Sequence, residues 1–308
     1  KTAILRRFLM KKSPSLVFFG NERLSSGFSP TGAPTLEALL AHGYKVKAVV
    51  AHYEIGHSRK ARQLEIESVA RAHNIPVLLP HKLIDIKQQL IGFQADAGVL
   101  VAYGKIIPQS IIDIFPHGIL NIHPSLLPHY RGPTPIEQAI LDGAAETGVS
   151  VMGLVKEMDA GPVFAQKRIQ LTGHESKQEL TNRLLRLGSQ LVIDTLPAAL
   201  SSSAKPSTQD ESQATYTQLI QKSDGIINPA SSAEQIERTI RAYAIWPKSW
   251  LTLFGQQVIV TKARVAANEH DGALIVACNP GWLEIQQLIA PSGKTMAAQD
   301  FLRGYGKN

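Results

Sequence analysis

Five short apolar runs, each followed by a stretch able to cross back over a sheet, constrain this chain more than any other feature. They are SLVFFG (15–20), KVKAVVA (45–51), IPVLLP (75–80), AGVLVAY (97–103) and GILNIH (118–123). Their Val, Ile and Leu content, with little polar alternation, is the pattern of strands covered on both faces. Between them PTLEALLAHG and ARQLEIESVARAHN read as helices, ending on a Gly and an Asn stop. Strands alternating with helices imply parallel crossover units, so the expected fold is α/β, a Rossmann-like doubly wound and mostly parallel sheet. Such a sheet binds ligands beyond the carboxyl ends of its strands, where the winding reverses. Asn121 and His123 fall at one of those ends.

Further on, TGVSVMGLV and FAQKRIQL read as strands, and ESKQELTNRLLRLGSQLVIDTL as a long helix whose Leu180, Leu184, Leu187 and Leu191 form a core stripe. The polar stretch SSSAKPSTQDESQAT reads as a linker. After it the style changes. SSAEQIERTIRAYA is a helix with a capping-box pattern from Ser231 to Glu234, and with Ile236, Ile240 and Tyr243 on one face. Four short strand candidates, SWLTLF, QQVIVTKARV, GALIVAC and GWLEIQQLI, suggest a small OB-like β-barrel. The expected division is a leader at 1–14, a catalytic domain at 15–200, a linker at 201–215 and a second domain at 216–308.

No apolar run approaches the roughly 20 residues of a membrane-spanning helix, so no membrane partner is expected and the chain reads as soluble. The net charge of +7 favours a polyanionic partner, and the single Cys278 excludes an intramolecular disulfide. The basic KTAILRRFLMKKS at the start has a faint transit-peptide character. A bacterial cytoplasm is the expected location, an organellar matrix the alternative. No G-x-G-x-x-G follows the first strand, and Walker, H-E-x-x-H, G-x-S-x-G and paired-Cys signatures are missing. Hydride transfer, phosphoryl transfer from ATP and metal hydrolysis all lose weight.

What remains is Asn121, His123 and, in EMDAGPV, Asp159, which lies 159 − 123 = 36 residues beyond the histidine. A carboxylate near a histidine favours the charged ring, and an asparagine amide donates without changing charge. Together they suit an oxyanion formed when a nucleophile attacks a carbonyl. Spacing alone leaves a plainer account open, in which a strand-end histidine, a turn-forming asparagine and an Asp-Ala-Gly turn are structural.

Three segments, VAYGKIIP, LNIHPSLLPHYRGPTPIEQAILDGAAETGVSVM and MDAGPVF, resemble the folate-dependent formyltransferases. The resemblance implies formyl transfer from 10-formyltetrahydrofolate to an amine, with no metal. It makes Asn121 and His123 the oxyanion donors and Asp159 the group that supports the histidine and helps deprotonate the amine. Tyr103, Gly104, Lys105, Ile106 and Ile107, together with Ser125, Leu126, Leu127 and Pro128, would line the folate pocket. His129 matches no role and reads as a surface residue.

The region from ATYTQLI through GQQVIVTKARV to GKTMAAQDFL resembles the C-terminal domain of the methionyl-tRNA branch of that family. This implies initiator methionyl-tRNA as partner, a role in translation initiation, and a monomer. A sugar or ribonucleotide amine is the alternative acceptor. Lys248, Lys262 and Arg264 would face the tRNA backbone. Arg59, Lys60 and Arg62 stand where the family has a basic, glycine-rich loop, although HYEIGHSRKARQ departs from that loop's usual form. Trp246, Trp250 and Trp282 read as packing residues rather than base-stacking ones.

Overall fold

The structure is a computed structural model that describes residues 13–25, 27–52, 64–269 and 272–306. Its first sheet contains β1 (Ser15–Gly20), β2 (Lys45–Val50), β3 (Val77–Leu78), β4 (Ala97–Val101), β5 (Ile119–His123), β6 (Glu146–Gly153) and β7 (Val163–Gln170). They lie in the order β3-β2-β1-β4-β5-β6-β7, parallel from β3 to β5 and antiparallel through β6 and β7. The winding therefore reverses between β1 and β4. Helices α1 (Pro34–Ala41), α2 (Glu65–Ala72), α3 (Lys87–Gly92), α4 (Gln109–Ile112), α5 (Pro135–Leu141) and α6 (Lys177–Leu200) accompany this sheet.

The unbroken apolar character of β1 has a direct cause. Leu16 and Phe18 enter one core, with α1 and α6, while Val17 and Phe19 enter another, with Ile111 and Phe115. Burying each such side chain stabilises the fold by about 1.5–3 kcal/mol. β1 ends on a glycine because a Cβ at Gly20 would stand 1.9 Å from the Val101 carbonyl oxygen. Any side chain there would prise β1 from β4, the pair that frames the winding reversal. Helix α6 begins where a capping box places Ser176 against Glu179, and its Leu180 and Leu184 are fully buried while Leu187 and Leu191 pack at the margin.

The second domain is led by α7 (Ala233–Ala242). The N-cap of α7 is Ser232, which accepts from Gln235 N, one residue later than the expected Ser231. The reason is local: Ser231 N is used by Asn228 O in a preceding turn, and Ser231 O by Asn279 N. Strands β8 (Ser249–Leu253), β9 (Gln256–Ala266), β10 (Leu274–Ala277), β11 (Trp282–Ile289) and β12 (Thr295–Ala297) form a curled antiparallel sheet, β10-β11-β9-β8 with β12 on β11. It closes over Val258, Val260, Leu283, Ile285 and Leu288, and α8 (Ala298–Tyr305) adds Phe301. β12 did not emerge from periodicity, because a three-residue strand has none to read, and α8, a helix of eight residues, was not expected either.

The two sheets meet through α5 and α7, with Ala242 and Tyr243 in the first core and Arg241 Nη1 donating to Glu175 O at 3.0 Å. Residues 201–215, expected as a linker, lie against the first domain. Ser207 pairs with Val163, and Thr215 O accepts from Arg131 N. No helix among the described residues is long and apolar enough to cross a membrane.

Candidate active site

A cleft of about 590 Å³ opens beyond the carboxyl ends of β1, β2, β4 and β5. Each strand delivers its next residues to the walls: Asn21 and Arg23 after β1, His52 after β2, Ala102 to Ile107 after β4, and Asn121 with His123 from β5 itself. This is the ligand position that a winding reversal creates. Parity explains the β5 pair: two residues apart on one strand, they share a face. Both are buried, at 6% and 5% exposure.

His123 is oriented by the chain that follows it. Its Nε2 lies 2.9 Å from the Tyr130 carbonyl oxygen. A carbonyl oxygen can only accept, so Nε2 carries the proton. Nδ1 then faces Asp159 Oδ2 at 3.7 Å, within ion-pair range and longer than a direct hydrogen bond. The Asp159 carboxylate is held by Gly132 N at 2.8 Å, and its backbone is left-handed, φ +49°. Among the described residues no hydrogen bond engages the Asn121 amide. Asn121 lines the cleft, so its amide is placed to meet a ligand there.

The other expected residues divide. Tyr103, Gly104, Lys105, Ile106 and Ile107 all line the cleft. Ile107 is buried in the core, whereas Ile106 is 85% exposed, an apolar side chain at the mouth with little protein against it. Tyr103 packs edge-on against Phe19 and His52, and burial pushes its phenol up to about 12, so it stays a neutral donor. Ser125, Leu126, Leu127 and Pro128 are not brought to this cleft. Ser125 is buried and donates to His129 O, Leu127 packs on Met152 and Val163, and Leu127 N donates to Ser150 Oγ. Leu126 lines a second cleft of about 740 Å³, where the carboxylates of Glu137 and Asp142 are engaged by Lys177 and Tyr130. His129 is exposed, as expected.

Of the basic residues, Arg59, Lys60 and Arg62 lie outside the described residues. Lys262 is exposed on β9; Arg264 is exposed but paired with Glu284 at 2.7 Å; Lys248 is half-buried. Sequence reasoning missed Asn21, His52, Tyr130 and Gly132. The first two were within reach, since each follows a strand whose end the winding rule had marked.

Residues 37–196 match the family model described as Formyl transferase, and residues 219–306 match Formyl transferase, C-terminal domain. The chain is 41% identical over 236 residues to the methionyl-tRNA formyltransferase of Chloroflexus aurantiacus, covering 75% of this chain and 76% of that protein. It is 36% identical over 295 residues to that of Roseiflexus castenholzii, covering 89% and 94%. Among solved structures, an N-formyltransferase from Helicobacter canadensis, complexed with folinic acid and dTDP-3-aminofucose, superposes with a TM-score of 0.67 at 17% identity, over 88% of this chain and 98% of that one. A variant of HypX from Aquifex aeolicus superposes with a TM-score of 0.67 at 15% identity, over 96% of this chain and 50% of that longer one. At these identities the likeness is one of fold.

Proposed function

This chain belongs to the formyl transferase family, and on that premise we propose that it moves the formyl group of 10-formyltetrahydrofolate to the amino group of methionine esterified to initiator tRNA. The observation that carries the chemistry is the uncommitted Asn121 amide lining the cleft beside an oriented His123. The acceptor assignment draws on curated relatives named methionyl-tRNA formyltransferase, one of which overlaps 89% of this chain, second domain included. A sugar or ribonucleotide amine is not favoured.

In this reading the amine nitrogen attacks the formyl carbon, and the carbonyl oxygen gains negative charge. The Asn121 amide and a proton carried on His123 Nδ1, the ring nitrogen left open by the bond to Tyr130, donate to that oxygen where charge develops, and fixed donors of this kind lower the barrier most. Asp159 receives, directly or through a water, the proton that the amine loses. The C–N bond to the folate then breaks, and N10 leaves with a proton. Tyr103 to Ile107 would hold the folate by backbone groups and by the exposed Ile106. A cleft of about 590 Å³ is within the usual range for a ligand of that size.

Lys262 would contact tRNA phosphates, as would Lys248 and, more weakly, the paired Arg264. The protein would act as a monomer, in the bacterial cytoplasm or an organellar matrix. The test is to incubate the full chain with 10-formyltetrahydrofolate and charged initiator tRNA, then measure formyl-methionine. Formylation of another amine but not of methionyl-tRNA would reject the assigned acceptor.

A further inference from the structure

We propose that residues 207–217 form a strap that positions the catalytic pair, with Gln209 and Arg131 as positioning residues acting through Asp159. The proposal rests on the formyl-transfer reading of the cleft. Asp159 stands at φ +49°, a backbone that L side chains rarely adopt and that persists only where its surroundings over-determine it. Gln209 supplies that determination. Its amide donates to the carbonyls of Asp159 and Gly161, both at 2.7 Å. Its Oε1 accepts from Arg131 Nε at 3.0 Å and Nη2 at 2.9 Å.

Arg131 is fully buried, and Glu211 clasps its fork at 2.9 and 2.7 Å while the Tyr216 hydroxyl accepts from Nη1. Its two chain neighbours touch the catalytic residues directly: Tyr130 O accepts from His123, and Gly132 N donates to Asp159. Main-chain bonds of 2.8 Å from Arg131 N to Thr215 O and from Thr217 N to Arg131 O press the strap against this loop. Gly132 permits the approach, since a Cβ there would meet the Thr217 carbonyl oxygen at 2.9 Å, at φ +107°.

Arg131, Gln209 and Glu211 do not line the cleft, so they do not touch substrate. Burying a guanidinium is also a poor way to gain stability, because desolvation offsets most of the attraction. What the network provides is geometry. One loop sets His123 and Asp159, and the chain leading into the second domain sets that loop.

The experiment compares Gln209→Ala and Gln209→Glu in the full chain. The second keeps an acceptor for Arg131 but loses the donor to both carbonyls. We expect kcat to fall about 10–100-fold in each, the scale of a catalytic group displaced by about 1 Å, with KM for both substrates within about twofold. In an Asp159→Ala background, Gln209→Ala should cost nothing further. The crystal structure of Gln209→Ala should show Asp159 out of its left-handed conformation or its carboxylate moved from His123. Should Gln209→Ala fold poorly, Arg131→Lys, which keeps the charge and loses the fork, answers the same kinetic question. Unchanged kcat, losses that add in the double variant, or an unmoved Asp159 overturns the proposal. If the wild type formylates a different amine, the kinetics are run with that amine, so the acceptor reading fails alone; the crystal structure needs no acceptor.

Discussion

The two sheets of this molecule handle charge in opposite ways. Among the described residues, every buried charged side chain, Glu22, Glu67, Arg131, Glu137 and Lys177, belongs to the first sheet, its helices or its loops. In the second domain none of the described charged side chains is fully buried, Lys262 and Arg264 standing exposed on β9, and, tyrosine aside, Ser249 is the one buried polar side chain among the described residues beyond 219. Chemistry on a carbonyl needs donors held out of water, where they are strongest. Contact with a polyanion needs cations in water, where they can displace counterions. The proposed division of labour follows from that difference.

The largest expected effect probes the site itself. His123→Ala should lower kcat by about 10³–10⁴-fold, the scale of a lost acid–base or oxyanion group, with the melting temperature nearly unchanged. A variant that turned over normally would remove His123 from the chemistry and erase the contrast between the sheets.

Next comes the buried ion pair of Lys177 and Glu137, 2.9 Å apart and both almost fully buried. Burial pulls the Lys177 ammonium below its ordinary value, while Glu137 pushes it back up. Lys177→Ala removes the cation from a buried carboxylate and should cost about 3–5 kcal/mol in urea unfolding, the usual penalty for breaking such a pair. The matching change in the second domain, Arg264→Ala, should cost under about 1 kcal/mol, because that pair is exposed to water on the arginine side. Equal losses would break the comparison.

Glu22 sharpens it through pH. Its carboxylate accepts from Thr35 N and Leu36 N at the start of α1, yet burial raises its pKa from 4.5 to about 7. Between those values the folded protein keeps a proton that the unfolded chain has lost. Stability from this group is therefore full below pH 4.5 and declines as pH rises to about 7, by roughly 3 kcal/mol. Glu22→Gln should flatten that decline when melting temperature is followed from pH 5 to 8; an unaltered slope would show that another group is responsible.

The smallest effect belongs to the proposed tRNA face. Lys262→Ala should weaken tRNA binding severalfold and lower the salt slope of binding by about 1, as expected for one lost phosphate contact. Identical salt slopes for the variant and the wild type would take Lys262 off the interface.

Much of this was legible before the fold was known. The apolar runs gave the strands, since a doubly covered strand cannot hide its composition. The winding rule then put Asn121 and His123 in a cleft, and a resemblance identified Asp159 as their partner. Ile106 and Ile107 were indistinguishable by composition, and only the fold separates a core residue from an exposed one. Ser125 to Pro128 were expected at the folate, but the turn after β5 buries Ser125 and Leu127 and gives Leu126 to the second cleft.

The amino-acid sequence by itself determined the strand set and the second domain, because those rest on local pattern, and it offered His123 and Asp159 as the proposed reactive pair through a resemblance rather than through spacing. The tertiary structure alone decided how that pair is held. Tyr130, Gly132 and Gln209 reach His123 and Asp159 across 7, 27 and 50 positions of chain. Hydrogen bonds of that span carry no periodicity. They exist only once packing has brought the strap, the loop and the strand end together.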